Sequence, residues 1–201
     1  MGFKISIPTT HDDITLGQVM RYNLLPMNSI QIVKNFCGGD VNELTLTECD
    51  AIASTLLELL EESPVQFKPF ITIDGIEYGF IPDMNAISTG EYIDLETFCA
   101  TPSETAHKAM AVLYRPITIK VGKRYEIEKY NTKHQLYADE FKNVPYSVFT
   151  GASAFFLTLT TESENNLSRF SVAQWKKLKR QGVIQDLMNL LEASGDGTIP
   201  S

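Results

Sequence analysis

One stretch, Phe70 to Pro82 (FITIDGIEYGFIP), constrains this chain more than any other. Two runs rich in β-branched and aromatic residues flank Asp74 and Gly75. Asp-Gly in that setting specifies a β-hairpin, because a type I′ turn needs positive φ at both central residues. The pattern before it differs, so the chain must join helical and hairpin segments in one fold.

Residues 1–62 read as helical, with apolar residues recurring at helical spacing in three segments. Leu16, Val19, Met20 and Leu24 form the first stripe, ended by Pro26. Asn28 caps the second, which carries Ile32, Val33 and Phe36 and stops at Gly38 and Gly39. Thr47 and Asp50 are expected to open the third as a capping box, ahead of Ile52, Ala53, Leu56, Leu57 and Leu60. Glu61, Glu62, Ser63 and Pro64 close it.

Beyond the first hairpin, Ser103 is expected to cap a helix running through Ala106, Met110, Val112 and Leu113 to Arg115, where Pro116 stops it. A second hairpin is predicted at 117–130, ITIK and RYEIEKY around Val121, Gly122 and Lys123, in a half-exposed sheet. His134 to Phe141 predicts a short helix. Pro145 opens a longer one through Val148, Ala152, Phe155, Phe156 and Leu159, whose small residues at 151–154 permit close helix approach. Leu167, Phe170, Val172, Trp175, Leu178, Val183, Leu187 and Leu190 predict one or two amphipathic helices over 165–193, before a frayed end. The expected class is α+β, mainly helical, with N-terminal and C-terminal helices around a small antiparallel β insert. Its expected regions are 1–65 (helical), 66–131 (hairpins and one helix), 132–194 (helical) and 195–201 (flexible), together one domain.

Charge is unevenly placed along the chain. Residues 1–105 hold 16 acidic and 4 basic side chains, a net −12, while 106–201 hold 9 acidic and 13 basic, a net +4. An acidic first half points away from nucleic acid, whose phosphates need a basic stripe. The asymmetry fits head-to-tail or heteromeric protein contact. Cys37, Cys49 and Cys99 are scattered without CxxC spacing, so three reduced thiols are expected rather than disulfides or a zinc site. The start, MGFKISIPTTHDD, has no apolar run and predicts no signal peptide, and the longest apolar stretch, Val148 to Leu159, is too short for a membrane span. A cytosolic location is expected.

The patterns that carry chemistry fail on spacing. Glu91, Asp94 and Glu96 in TGEYIDLE fit neither a calcium loop nor a hydrolase pair, and read as solvated turn and cap residues. His11, His107 and His134 stand apart, with His11 expected as an exposed lead-in to the first helix. No nucleophile elbow or phosphate loop is present. The expectation is no enzyme, no metal and no cofactor. One segment, Trp175, Lys176, Lys177, Lys179 and Arg180, places an aromatic and four cations on one helix with Leu178 beside the Trp; it is either a core-facing Trp with solvated lysines or an amphipathic docking surface.

The segments FITIDGIEYGFIPDMNAISTGEYIDLE (70–96), AMAVLYRPI (109–117), RYEIEKY (124–130) and GASAFFLTL (151–159) resemble a family of about 200 residues encoded in the structural gene clusters of tailed bacteriophages. The layout of LGQVMRYNLL, IQIVKNFCGGD and DAIASTLLELLEE is similar to tail assembly chaperones of long-tailed phages. The resemblance implies a morphogenesis protein, a tail assembly chaperone that binds tape-measure or tail tube protein in the host cytoplasm. Its alternative is a permanent virion component such as a head–tail connector, tail or baseplate subunit.

Overall fold

The helices start where short side-chain signals start them. The computed structural model describes residues 5–62, 66–131 and 133–162. Helices α1 (Leu16–Leu24), α2 (Ser29–Phe36), α3 (Leu46–Glu61) and α4 (Thr89–Ala100) each begin at a reciprocal capping box. The pairs are Thr15 with Gln18, Asn28 with Gln31, Thr45 with Glu48, and Ser88 with Glu91. Each box satisfies two N–H groups that the first turn leaves without helical partners. Helix α5 (Pro102–Leu113) instead places proline in its first turn, where a missing N–H costs nothing.

Helix α5 is the centre of the fold. Ala106, His107 and Ala109 through Leu113 are all buried, and α1 and α4 pack against the helix. A helix buried on nearly every side must be apolar nearly all round. Alanines at 106, 109 and 111 leave room for its neighbours. A short helix α6 (His134–Tyr137) and a 3₁₀ segment, Ala138–Asn143, cover another side. The long α7 (Tyr146–Glu162) brings Gly151 against the backbone of Gln66 and Phe67. The small-residue run therefore admits a close approach at Gly151, by a coil segment rather than by the helix that was expected.

Strands β1 (Phe70–Ile73), β2 (Ile76–Phe80), β3 (Tyr114–Val121) and β4 (Arg124–Ile127) form one antiparallel sheet in the order β1-β2-β3-β4. Asp74 and Gly75 have φ of 48° and 80°, as the I′ turn requires. Ile71, Ile73, Tyr78, Phe80 and Tyr114 are buried on the core side. There the Phe80 ring meets Phe67, Tyr114 and Phe155 edge-on, at centroid distances of 5.0, 5.2 and 5.5 Å. The class is α+β, mainly helical around a small antiparallel sheet, as expected.

Strand lengths are mismatched, and this shapes the surface. Only Tyr114, Arg115 and Pro116 of β3 pair with β2, while Ile117 to Val121 pair with β4. The distal half of β3 and all of β4 thus form a two-stranded arm beyond the shared sheet. Its pairing shifts between Ile117 and Ile119.

Five expectations are corrected. Ser103 does not cap α5, which starts at Pro102 after Thr101 with no side-chain cap. Helix α3 opens at Thr45 with Glu48, not at Thr47 with Asp50: Thr-x-x-Glu forms the stronger box, two residues earlier. Helix α5 ends at Leu113, and Arg115 and Pro116 belong to β3. Pro116 is tolerated because its carbonyl accepts from Glu128 N–H just past the end of β4, where the ladder needs no return donor. TGEYIDLE is a helix rather than a turn, and Glu91 is buried. His11 is only 2% exposed and stacks on Tyr146 at 5.6 Å, so it is no solvated lead-in. The helices expected over 165–193 and the end after 194 lie outside the described residues.

Candidate protein-interaction surfaces

Helix α3 turns Cys49, Ala53 and Leu56 inward and packs chiefly on α2. Its other side exposes Asp50, Ala51, Ser54, Thr55, Glu58 and Glu61. No ion pair among the described residues involves Asp50, Glu58 or Glu61. Glu58 and Glu61 also sit in the last turn, where the helix carries partial negative charge and basic residues are favoured; it holds none. Leu57, Leu59 and Leu60 are only partly buried, and Leu46 is 68% exposed. The face is acidic, apolar beneath, and without a cation partner among the described residues.

The arm is its opposite in charge. Ile119 and Val121 are 54% and 73% exposed, and Lys123 and Arg124 at the turn are exposed as well. A cleft of about 690 Å³ separates Pro82 from Ile119, Val121 and Arg124. The arm's other face is held down. Lys120 pairs with Glu77 and lies 4.0 Å from the Phe70 ring centroid, while Tyr125 crosses Gly79 and donates to the Phe80 carbonyl at 2.6 Å. A side chain at 79 would collide with that ring.

A buried polar clamp fixes the base of the arm. Arg115 and Glu91, 6% and 5% exposed, pair at 2.6 Å, and the second Glu91 oxygen accepts from Ser88 N–H at 2.7 Å. Tyr130 donates to Asp94, with the Arg115 guanidinium 5.9 Å from its ring. Helix α4 is thereby tied both to the start of β3 and to the segment after β4.

Other polar groups are arranged for packing. Ser147 donates to Asp12, and Lys68 donates to Asp12 at 3.1 Å and to Ser147 at 3.4 Å. Those hydrogen bonds, Ser147's first, hold the Asp12 carboxyl below its ordinary range, which makes it a weak base. Burial pushes His107 down to about 4, with Lys142 adding to the effect, and lowers His11 too. Burial also raises the Cys99 thiol to about 12, and Cys37 and Cys49 are free thiols as well. Among the described residues no group of three or more His, Cys, Asp or Glu is placed to hold a metal ion, and no helix is long and apolar enough to cross a membrane.

The docking surface read from Trp175, Lys176, Lys177, Lys179 and Arg180 lies outside the described residues. Glu91 was legible through Ser88 three residues before it, a capping box that the acidic run obscured. The arm tip was less so, because exposure of Ile119 and Val121 follows from β2 being shorter than β3. No protein-family model, curated protein or solved structure matches the chain.

Proposed function

We propose that this protein is a morphogenesis factor of a tailed bacteriophage: a tail assembly chaperone that binds tape-measure or tail tube protein in the host cytoplasm, without a cofactor. Two things support the reading. The segments that resemble phage structural-cluster proteins make up the sheet, α4, the end of α5 and α7. The helical layout similar to tail assembly chaperones corresponds to α1–α3.

The observation that carries the reading is the α3 face. Asp50, Glu58 and Glu61 lack a cation among the described residues and lie beside half-buried leucines. Such a face suits a basic, amphipathic partner segment that supplies both the missing charge and an apolar stripe.

The test is capture of phage proteins by the tagged chain from infected cells, paired with mass spectrometry of purified particles. Recovery of tape-measure or tube protein, with the chain missing from particles, supports the chaperone. Presence in particles would replace it with a permanent virion subunit. Capture of no phage protein, with none of the chain in particles, would sink both.

A further inference from the structure

We infer that the tip of the β3–β4 arm docks on the α3 face of a second copy of this chain. The two surfaces complement each other in charge, and among the described residues both lack ion-pair partners. Lys123 and Arg124 make no ion pair among the described residues, and neither do Asp50, Glu58 and Glu61. The other arm lysine is already engaged, since Lys120 is held by Glu77 over Phe70. The free cations thus sit at the very end of the arm.

Shape and apolar surface agree with the charge. The arm leans back on the sheet through Tyr125 and Lys120, and its free side leaves Ile119 and Val121 largely in solvent, with exposed Glu126 opposite Ile119. The α3 face offers small residues, Ala51, Ser54 and Thr55, between its carboxylates. The free side of the arm can lie close to the helix there, with Ile119 and Val121 on that strip and Lys123 and Arg124 toward Glu58 and Glu61. Placing cations at the α3 C-terminus also removes the unfavourable interaction between those carboxylates and the helix dipole.

The contact joins two different surfaces, so it is heterologous. Each added copy leaves one arm and one α3 free, and the assembly closes into a ring or runs on as a chain. The chain's −12 and +4 halves thereby acquire a geometric meaning. The inference rests on α3 being a docking face and adds regulation of it: a second copy covers the face until a phage partner displaces it.

Sedimentation of the purified full chain tests this apart from any phage partner. Wild-type protein should associate along a dilution series at about 0.1 M salt and come apart at about 1 M, as the screening length falls from about 10 Å to about 3 Å. K123E/R124E and E58K/E61K change exposed positions only, and each should weaken association about tenfold or more. Mixing the two variants restores opposite charge at every contact and should restore association. Wild-type monomers throughout at low salt, or a mixture no better than its components, would overturn the proposal while leaving capture of a phage partner to be judged separately.

Discussion

The α1–α3 region and the sheet with its arm handle charge in contrasting ways. Around the sheet, cations are matched: Arg115 with Glu91, Lys120 with Glu77, and Lys68 with Asp12 where β1 begins. On α3 the carboxylates stand without cations among the described residues, in a helix with no basic residue in its last turn. Paired charges hold a structure together, whereas unpaired ones keep their interaction energy for a partner. The carboxylates of α3 and the cations at the arm tip are the unpaired charges among the described residues that our proposal assigns to a partner.

The sharpest way to break this contrast is to remove one partner of the buried clamp. Arg115→Ala leaves Glu91 charged and buried, and should cost about 3–5 kcal/mol of stability. Glu58→Gln on α3 should cost nothing. Urea unfolding of both variants decides the matter, and equal midpoints would erase the distinction.

The next effect is set by pH. His107 is depressed to about 4 in the folded chain by burial, against an ordinary value of 6.5. Below pH 6.5 the unfolded chain therefore takes up a proton that the folded chain refuses. Stability is complete above about pH 6.5, falls as pH drops toward 4, and levels off below that, a total of at most about 3 kcal/mol. His11 adds in the same direction. The lowered carboxyls, Asp12 among them, lose their contribution in a more acidic window. In His107→Gln the loss between pH 7 and pH 5 should shrink, as thermal melts at the two values would show.

A packing test follows. Gly151→Ala drives a methyl into the Gln66 backbone, where α7 meets the entry to β1, and should cost about 1–3 kcal/mol. Smallest, and opposite in sign, is relief of the α3 terminus. Glu58→Gln with Glu61→Gln should raise stability by about 0.3–1 kcal/mol per site at low salt, and less as salt increases. A loss instead would mean that these carboxylates have a partner within the fold.

Much of this fold was legible because its signals are local. Asp74-Gly75 between β-branched runs fixed the first hairpin, and Asn28 and Pro145 marked helix starts, since turns and caps depend on residues within one turn of themselves. Errors came where tertiary context overrode local pattern. Pro116 reads as a helix stop, yet the chain had already entered β3, and burial of His11 depends on Tyr146 far along the chain. The carboxylates of TGEYIDLE look solvated until Arg115 is placed against Glu91. The candidate surfaces were not singled out by sequence, because their shape depends on which charges the fold leaves unpaired. The acidic first half pointed to protein contact without singling out α3, and no residue pattern told that the arm would outrun β2.

The central claim, that α3 is the surface kept for a partner, is tested most directly by comparing tagged wild-type chain with the E58K/E61K variant in infected cells. With melting temperatures first shown to be equal, wild-type chain should recover a phage tail protein in a salt-sensitive complex and the variant should recover little. Equal recovery by both, unchanged between low and high salt, would contradict the account.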